Sequence, residues 1–207
     1  MTRIIHTNPK FRNVGMIEVV NEPISGQDSL ASEYYPTAYD KIRETERSLG
    51  TTTNNYLHIQ FMASSWGAGD ARQHLSNNYF AAYDSHRYLK WDDRVPLDQN
   101  AYISTSCKDD VAWDGSWPLI VGEWSLATKD DAWNPHDPAN KAFYKKWWAA
   151  QVIAYEKQAG WIFWSWKTEL LVNYNGQWLP DYRWGYKQAV EAGIIPKDPK
   201  SIDRSVC

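Results

Sequence analysis

The stretch GMIEVVNEPIS, residues 15–25, is an apolar, β-branched run that ends on an Asn-Glu-Pro triplet at residues 21–23. A second stretch, PLIVGEWS at residues 118–125, ends in the same way, because its apolar run is followed directly by Glu123. Near-continuous apolar runs of this length are typical of strands that are buried on both faces in parallel sheets. We therefore expect two buried strands, each with a carboxylate at its end.

Similar runs follow along the chain, separated by amphipathic stretches. Strand followed by helix, repeated, predicts an α/β fold with a parallel sheet. We predict strands at Val14–Val20, Tyr56–Met62, Tyr79–Tyr83 continuing into DSHRY, Leu119–Val121, and GWIFWSW from Gly160. Helices, each followed by a glycine, are predicted at Tyr35–Leu49, from Asp137 through Lys157, and at Arg183–Ala192.

The spacing of the predicted strand ends is about the βα period of a TIM-type barrel. A closed (β/α)8 barrel needs eight strands and typically about 250 residues, whereas this chain of 207 residues supplies five runs. We therefore expect the last five βα units of such a barrel at residues 1–196, followed by a polar C-terminal tail at 197–207. Because five strands leave two open parallel edges, the chain alone is expected to be poorly stable and weakly active or inactive.

Composition excludes some classes of function. The net charge of -3 gives no electrostatic reason to expect nucleic acid or an anionic membrane as a partner. We find no glycine-rich phosphate loop, no Gly-x-Ser-x-Gly motif, no secretory signal pattern and no apolar run of transmembrane length. The 13 Trp and 13 Tyr predict either an aromatic core or stacking platforms for sugar rings. Cys107 and Cys207 could pair with each other, pair with a cysteine elsewhere, or stay free.

The two strand-end carboxylates indicate chemistry, since barrel enzymes carry their catalytic groups at the carboxyl ends of strands. Pro23 is expected to keep Glu22 extended and to end the hydrogen-bond ladder there. Two carboxylates that face one cleft are what glycoside hydrolysis requires, one as acid and one as nucleophile. The alternative is that Glu22 and Glu123 each form a salt bridge at the start of a loop.

Polar and aromatic neighbours fit the same chemistry. Asp84, His86 and Tyr88 alternate by two and so share one strand face, from which the imidazole and the phenol could hold a nucleophilic carboxylate. The Asn21 amide could bind a substrate hydroxyl, and the ring of Trp164 or Trp166 could stack beneath a sugar in a subsite. Glu18 shares the parity of Glu22 and is expected to form a buried ion pair.

At these residues the sequence resembles the fungal endo-β-1,6-glucanases of glycoside hydrolase family five, relatives of the exo-β-1,3-glucanases. The order of Asn-Glu-Pro, His-x-Tyr, Gly-Glu-Trp-Ser and Phe-Trp-Ser-Trp makes the resemblance specific, and it covers nearly the whole chain. The matching stretches are VGMIEVVNEP, NNYLHIQFM, YFAAYDSHRYLKWD, IVGEWS, GWIFWSWKTE and DYRWGYKQAVEAGIIP.

The resemblance implies a retaining hydrolase in which Glu22 is the acid/base after the fourth strand and Glu123 the nucleophile after the seventh. The supporting polar residues would be Asn21, His86 and Tyr88, and the tryptophan beneath the reacting sugar would be Trp164. It further implies a β-glucan substrate, a monomer secreted to the extracellular space or cell wall, and no metal or organic cofactor.

The sequence departs from this family in two places. No segment supplies the Arg and His that the family takes from its second and third strands, and Leu170–Pro180 is longer than the family usually has there. Two alternatives stay open. One is exo- or endo-action on β-1,3-glucan, and the other is a glucan-binding partial barrel without catalysis.

Overall fold

The computed structural model describes residues 1–27 and 29–207, and these residues form two compact units. The first unit comprises Met1–Ser85 and Ala112–Leu119, and the second comprises His86–Val111 and Ile120–Cys207. Among the described residues, no helix combines the length and the apolar composition that a membrane span needs.

The first unit is built on parallel strands. Its elements are α1 (Thr2–Thr7), β1 (Met16–Glu18), α2 (Tyr35–Ser48), β2 (His58–Met62) and the first five residues of β3 (Ala81–Arg87). β1 pairs with β2 from Met16 opposite His58, and β2 pairs with β3 from Ile59 opposite Ala81. The β2 residues Ile59 and Phe61 are fully buried, as expected of a central parallel strand.

A buried carboxylate ties α2 to the rest of the first unit. Glu46 is 0 % exposed and accepts hydrogen bonds from Arg43 Nη1 at 2.7 Å and from the Leu57 amide at 2.7 Å. His6 Nε2 lies 3.1 Å from Oε1, the oxygen that accepts from the Leu57 amide, whereas Arg43 donates to Oε2. A buried charge is tolerated only with such partners, so α1, α2 and the residue before β2 are held around one side chain.

A second acidic side chain organises the loop before β4. Asp114 Oδ2 accepts hydrogen bonds from the Ser64 hydroxyl and the Ser65 amide, both at 2.8 Å, and Oδ1 accepts from the Ser116 amide at 2.8 Å. Burial opposes ionisation of this carboxyl, but the hydrogen bonds outweigh it and lower its pKa to about 2.

The second unit contains α3 (Gln99–Cys107), most of β4 (Leu119–Trp124), α4 (Lys141–Tyr155), β5 (Gly160–Trp161), the hairpin β6 (Leu171–Tyr174) and β7 (Gln177–Pro180), and α5 (Tyr186–Glu191). β4 pairs with β5 in parallel, with Ile120 opposite Gly160. The strands follow one another in the order β1-β2-β3-β4-β5, so the predicted α/β fold with a parallel sheet is confirmed. Which strands of a complete barrel they represent remains a prediction.

Aromatic side chains fill the core of the second unit. Trp124 is fully buried and stacks on Trp148 with ring centroids 4.9 Å apart and planes 27° apart. Phe163 meets the Trp124 ring edge-on at 5.1 Å. Part of the tryptophan content therefore serves packing. Other tryptophans, including Trp91 and Trp178, are 64 % and 67 % exposed, and these are available for other roles.

A disulfide joins the end of α3 to the end of the chain. Cys107 and Cys207 are bonded with their Cα atoms 5.4 Å apart, which selects the first of the three alternatives considered from the sequence. Arg204 adds an ion pair to Glu156 at 2.8 Å. The segment predicted as a polar tail is thus covalently attached to the second unit.

Several element boundaries differ from the prediction. β1 has three residues and β5 has two, although the apolar runs there are seven residues long. The long helix begins at Lys141, and Asp137 caps a preceding 3-10 turn, Pro138–Asn140. α5 spans only Tyr186–Glu191, and α3 was not predicted.

Candidate active site

Glu123 lies next to the last residue of β4, at the carboxyl end of the strand. Its Oε2 accepts a hydrogen bond from the Tyr88 hydroxyl at 2.8 Å, and His86 Nδ1 lies 3.6 Å from the same oxygen. The side chain of His86 is 1 % exposed and that of Glu123 is 14 % exposed. A shielded carboxylate therefore sits at a strand end with a phenol and an imidazole directed at one oxygen.

The strand geometry explains how β3 delivers these two groups. His86 is in β3 and Tyr88 directly follows it, so their side chains point to the same side, as the alternation by two predicts. The structure places His86 and Tyr88 together at Glu123, and their role in supporting a nucleophile remains a prediction. The hydrogen bond from Tyr88 and the nearby imidazole of His86 both act on Oε2 and so restrict the rotation of the carboxylate.

Three aromatic rings form a cluster beside Glu123, which we call the aromatic wall: Tyr88, Trp91 and Trp184. The Tyr88 ring lies 4.9 Å from Trp91 and 5.9 Å from Trp184, and the two indoles are 6.2 Å apart. Trp91 is 64 % exposed, so much of its side chain is accessible to a ligand. Trp91 and Trp184 are not among the site residues predicted from the sequence. A usable signal was the position of Trp91 three residues after Tyr88, on the loop that leaves a strand end.

Trp164 lies three residues beyond β5, the strand that pairs with β4 and therefore neighbours the strand of Glu123. Its amide donates to the carbonyl of Trp124 at 2.8 Å, and its side chain is half-exposed. The peptide bond between Trp164 and Ser165 is cis, and the Ser165 amide donates to the Trp184 carbonyl at 2.7 Å. Trp166 instead stacks on Tyr186, with planes 21° apart, which is a packing contact. The role of Trp164 beneath a sugar remains a prediction.

Glu22 and Asn21 belong to the first unit and are exposed. β1 ends at Glu18, and the Val19 amide still donates to Gln60 O at 3.2 Å, so Glu22 stands in the loop beyond the strand. Its backbone φ is +42°, in the left-handed region. The expectation that Pro23 keeps Glu22 extended is therefore wrong.

The physical reason lies in contacts that the local sequence does not reveal. Proline disfavours the right-handed helical region for the residue before it, but this leaves the left-handed region open when other bonds direct the chain. Here the Trp66 indole donates to Pro23 O at 2.7 Å, and the Gly26 amide donates to Gly67 O at 3.1 Å. A left-handed residue other than glycine costs roughly 1–2 kcal/mol, and such strain recurs at functional positions.

Glu18, expected to form a buried ion pair, is half-buried at the end of β1. It lies close enough to Tyr35 to affect that phenol. Burial, with a further contribution from the Glu18 charge, raises the pKa of Tyr35 to about 12. Tyr35 is 0 % exposed, and one carboxylate oxygen of the half-buried Glu18, Oε1, is also shielded from solvent.

Comparison with known proteins gives relatives along the whole chain, although no protein-family model matches. The chain is 56% identical over 216 residues to the glucan endo-1,6-beta-glucosidase B of Emericella nidulans, covering 100% of this chain and 50% of the relative. It is 52% identical to a probable glucan endo-1,6-beta-glucosidase B of Neosartorya fischeri, covering 98% of this chain and 49% of that protein. The chain thus spans about half the length of the curated relatives it matches.

Among solved structures, the rutinosidase of Aspergillus niger matches this chain with a TM-score of 0.58 and 14% identity. The match covers 93% of this chain and 54% of the rutinosidase chain. This likeness shows the fold alone. The chain therefore shares part of its fold with the rutinosidase and resembles in sequence about half of two fungal proteins, one named and one described as a probable glucan endo-1,6-beta-glucosidase B. The resemblance seen in the sequence is confirmed, because the chain is related throughout its length to the fungal glucan endo-1,6-beta-glucosidases B.

Proposed function

We propose that this chain carries the catalytic carboxylates of a retaining glycoside hydrolase that cleaves β-1,6-glucan, with Glu123 as nucleophile and Glu22 as acid/base. The observation that carries the proposal is the environment of Glu123. Its carboxylate stands at a parallel strand end and accepts a 2.8 Å hydrogen bond from Tyr88 beside a buried imidazole. Related fungal proteins that match the whole chain bear the name of this activity.

The mechanism has two balanced steps. In the first, an oxygen of Glu123 attacks the anomeric carbon while the glycosidic C–O bond breaks, and the leaving oxygen takes the proton of the Glu22 carboxyl. In the second, the Glu22 carboxylate takes a proton from water, whose oxygen attacks the same carbon and breaks the glycosyl ester. Retaining chemistry of this kind requires the two carboxyl groups to stand about 5–5.5 Å apart.

The remaining site residues take supporting roles in this proposal. Asn21 binds the 2-hydroxyl of the reacting sugar, where hydrogen bonds strengthen in the transition state. Trp164 forms the floor beneath that sugar, and the exposed face of Trp91 in the aromatic wall accepts a neighbouring sugar by stacking. Together these groups recognise an uncharged polysaccharide, and no nucleic acid or membrane is needed as a partner.

We further propose that the protein is secreted. The Cys107–Cys207 disulfide supports this, since disulfides form and persist mainly in oxidising compartments. A wall polysaccharide would be met in that environment. Action as a monomer remains part of the same proposal.

The test is the release of reducing sugar from β-1,6-glucan by the purified chain, with β-1,3-glucan as the linkage control. Glu123→Gln is expected to reduce the rate to background, and Glu22→Gln is expected to lower it by roughly 10²–10⁴-fold, since it removes general acid catalysis. Gln keeps the size of each side chain, so both variants are expected to fold. Thermal melting of both variants checks this.

Three results would contradict the proposal or a part of it. Sugar release that persists in Glu123→Gln would exclude this residue as nucleophile. A folded chain that binds glucan without any turnover would instead favour the non-catalytic binding protein considered from the sequence. Preferential hydrolysis of the β-1,3 polymer would overturn the linkage while leaving the two carboxylates in place.

A further inference from the structure

The segment Leu170–Pro180, which is longer than expected from the family resemblance, folds as the antiparallel hairpin β6–β7. Its turn is Asn175-Gly176, with φ of +50° and +82°, which matches the Asn-Gly preference of tight two-residue hairpins. The Gly176 amide also donates to Asn173 Oδ1 at 3.2 Å. The hairpin register is therefore defined by its own sequence.

The hairpin is fastened at its base and along its side. The Asp181 amide donates to Leu170 O at 2.8 Å and closes the base. Asn134 Nδ2 donates to Asn173 O at 2.7 Å, and His136 Nε2 lies 2.8 Å from Pro180 O. Both strands are thus braced by the loop between β4 and α4, which makes the hairpin a fixed element.

The segment that follows the hairpin is hydrogen-bonded close to the end of β4, the strand that carries Glu123. Arg183 follows shortly after β7, and its carbonyl accepts from the Leu126 amide at 2.9 Å, three residues beyond Glu123. The next residue, Trp184, is a member of the aromatic wall and lies 5.9 Å from the Tyr88 ring. The chain therefore passes from the hairpin directly into the ring cluster beside the nucleophile.

The two faces of the hairpin differ. Val172, Tyr174 and Leu179 share one face and are half-buried, while Leu171, Asn173 and Trp178 share the other and are exposed. Asn173 is directly opposite Trp178 in the register, so an amide stands next to an indole that is 67 % exposed. The sequence of this segment, LLVNYNGQWLP, contains no charged residue.

We propose that this exposed face, centred on Trp178 and Asn173, is a distal subsite that binds a sugar unit of the glucan chain away from the cleavage point. An indole face stacks on the C–H face of a pyranose, and a neighbouring amide can bond to its hydroxyls. The absence of charge in the segment matches a neutral polysaccharide better than an anionic partner. The proposal rests on the proposed function, which supplies a polymer long enough to reach from Glu123 to the hairpin.

The test measures the affinity for β-1,6-linked gluco-oligosaccharides of increasing length by calorimetry, in a Glu123→Gln background that prevents hydrolysis. Trp178→Ala should weaken binding of long oligosaccharides roughly five- to tenfold and leave the disaccharide unchanged. Trp178→Phe should restore most of the affinity, because it keeps an aromatic face. Trp113→Ala is the matched control, since Trp113 is 68 % exposed but lies in the first unit.

Each outcome decides something different. Equal affinities for the Trp178→Ala and Trp113→Ala variants at every length would overturn the distal subsite while the proposed function stands. A loss that is the same for the disaccharide and the long chains would also overturn it, because Trp178 would then act at or near the cleavage point. A parent chain that binds none of the oligosaccharides would overturn the proposed function itself.

Discussion

Removal of the Cys107–Cys207 disulfide gives a prediction whose size follows from the structure. The bond closes a loop with a sequence separation of 100 residues. In the chain-entropy model, a closed loop of this length loses denatured-state entropy worth about 4.7 kcal/mol at 25 °C. The Arg204–Glu156 ion pair of the tail is exposed and worth at most about 1 kcal/mol, so the disulfide is expected to contribute more to the attachment of the chain end than this pair does.

The change is Cys207→Ser, and the quantity is the free energy of unfolding from urea titration, with thermal melting alongside. We expect a loss of about 3–5 kcal/mol and a fall in Tm of roughly 10 °C, since about 1 kcal/mol moves the Tm of a chain of this size by 2–4 °C. Wild-type protein under reducing conditions should match the variant.

Two controls make this result interpretable. Arg204→Ala perturbs the same tail without touching the disulfide and should cost no more than about 1 kcal/mol. Cys207→Ser should itself be insensitive to reductant. A Cys207→Ser protein that unfolds within about 1 kcal/mol of oxidised wild type would refute the reasoning, because the tail would then add nothing to the stability of the second unit.

Three further predictions concern single side chains. Tyr88→Phe removes the hydrogen bond that orients Glu123, and since bonds to charged groups are worth about 1.5–3 kcal/mol, kcat on β-1,6-glucan should fall roughly 10- to 100-fold while the variant still folds; an unaltered kcat would count against a positioning role. The free energy of unfolding of Glu22→Asn, measured by urea titration, should exceed that of Glu22→Gln by about 0.5–1 kcal/mol, because Asn adopts the left-handed backbone more readily than Gln. Equal free energies would argue against strain at this residue. Asp114 has its pKa lowered from 3.8 to about 2, so its contribution to stability is complete above its usual pKa and is lost as the pH falls through about 2. Asp114→Asn should therefore show a flatter stability profile than wild type between pH 4 and pH 2, measured by urea titration.

The sequence predicted the positions of both carboxylates, Glu22 and Glu123, near strand ends, but it predicted the backbone of only one of them. The position of Glu123 at a strand end was predictable because β4 is a regular, buried parallel strand, and an apolar run in the sequence predicts such a strand. Glu22 was placed correctly near a strand end but with the wrong backbone. The local rule for a residue before proline could not account for the Trp66 indole that bonds to Pro23 O from 43 positions away.

The features that escaped prediction depend on long-range contacts. Trp184 joins Tyr88 and Trp91 only after the chain has passed through β4, α4, β5 and the hairpin. β5 has only two residues, although the amides of Ile162 and Trp164 still donate to β4, at Val121 O and Trp124 O, both at 2.8 Å. The disulfide likewise depends on tertiary structure, since two cysteines allow intramolecular pairing but do not require it.

The most direct test of the central claim is to identify the residue that becomes covalently glycosylated. A 2-deoxy-2-fluoro glucosyl fluoride slows both steps but keeps a good leaving group, so a retaining enzyme accumulates the glycosyl ester. Intact-mass and peptide mass spectrometry should find one added fluoroglucosyl unit on the peptide that contains Glu123, and none in Glu123→Gln. A label on Glu22 or on any other residue, or turnover of glucan by a chain that never becomes labelled, would contradict the account.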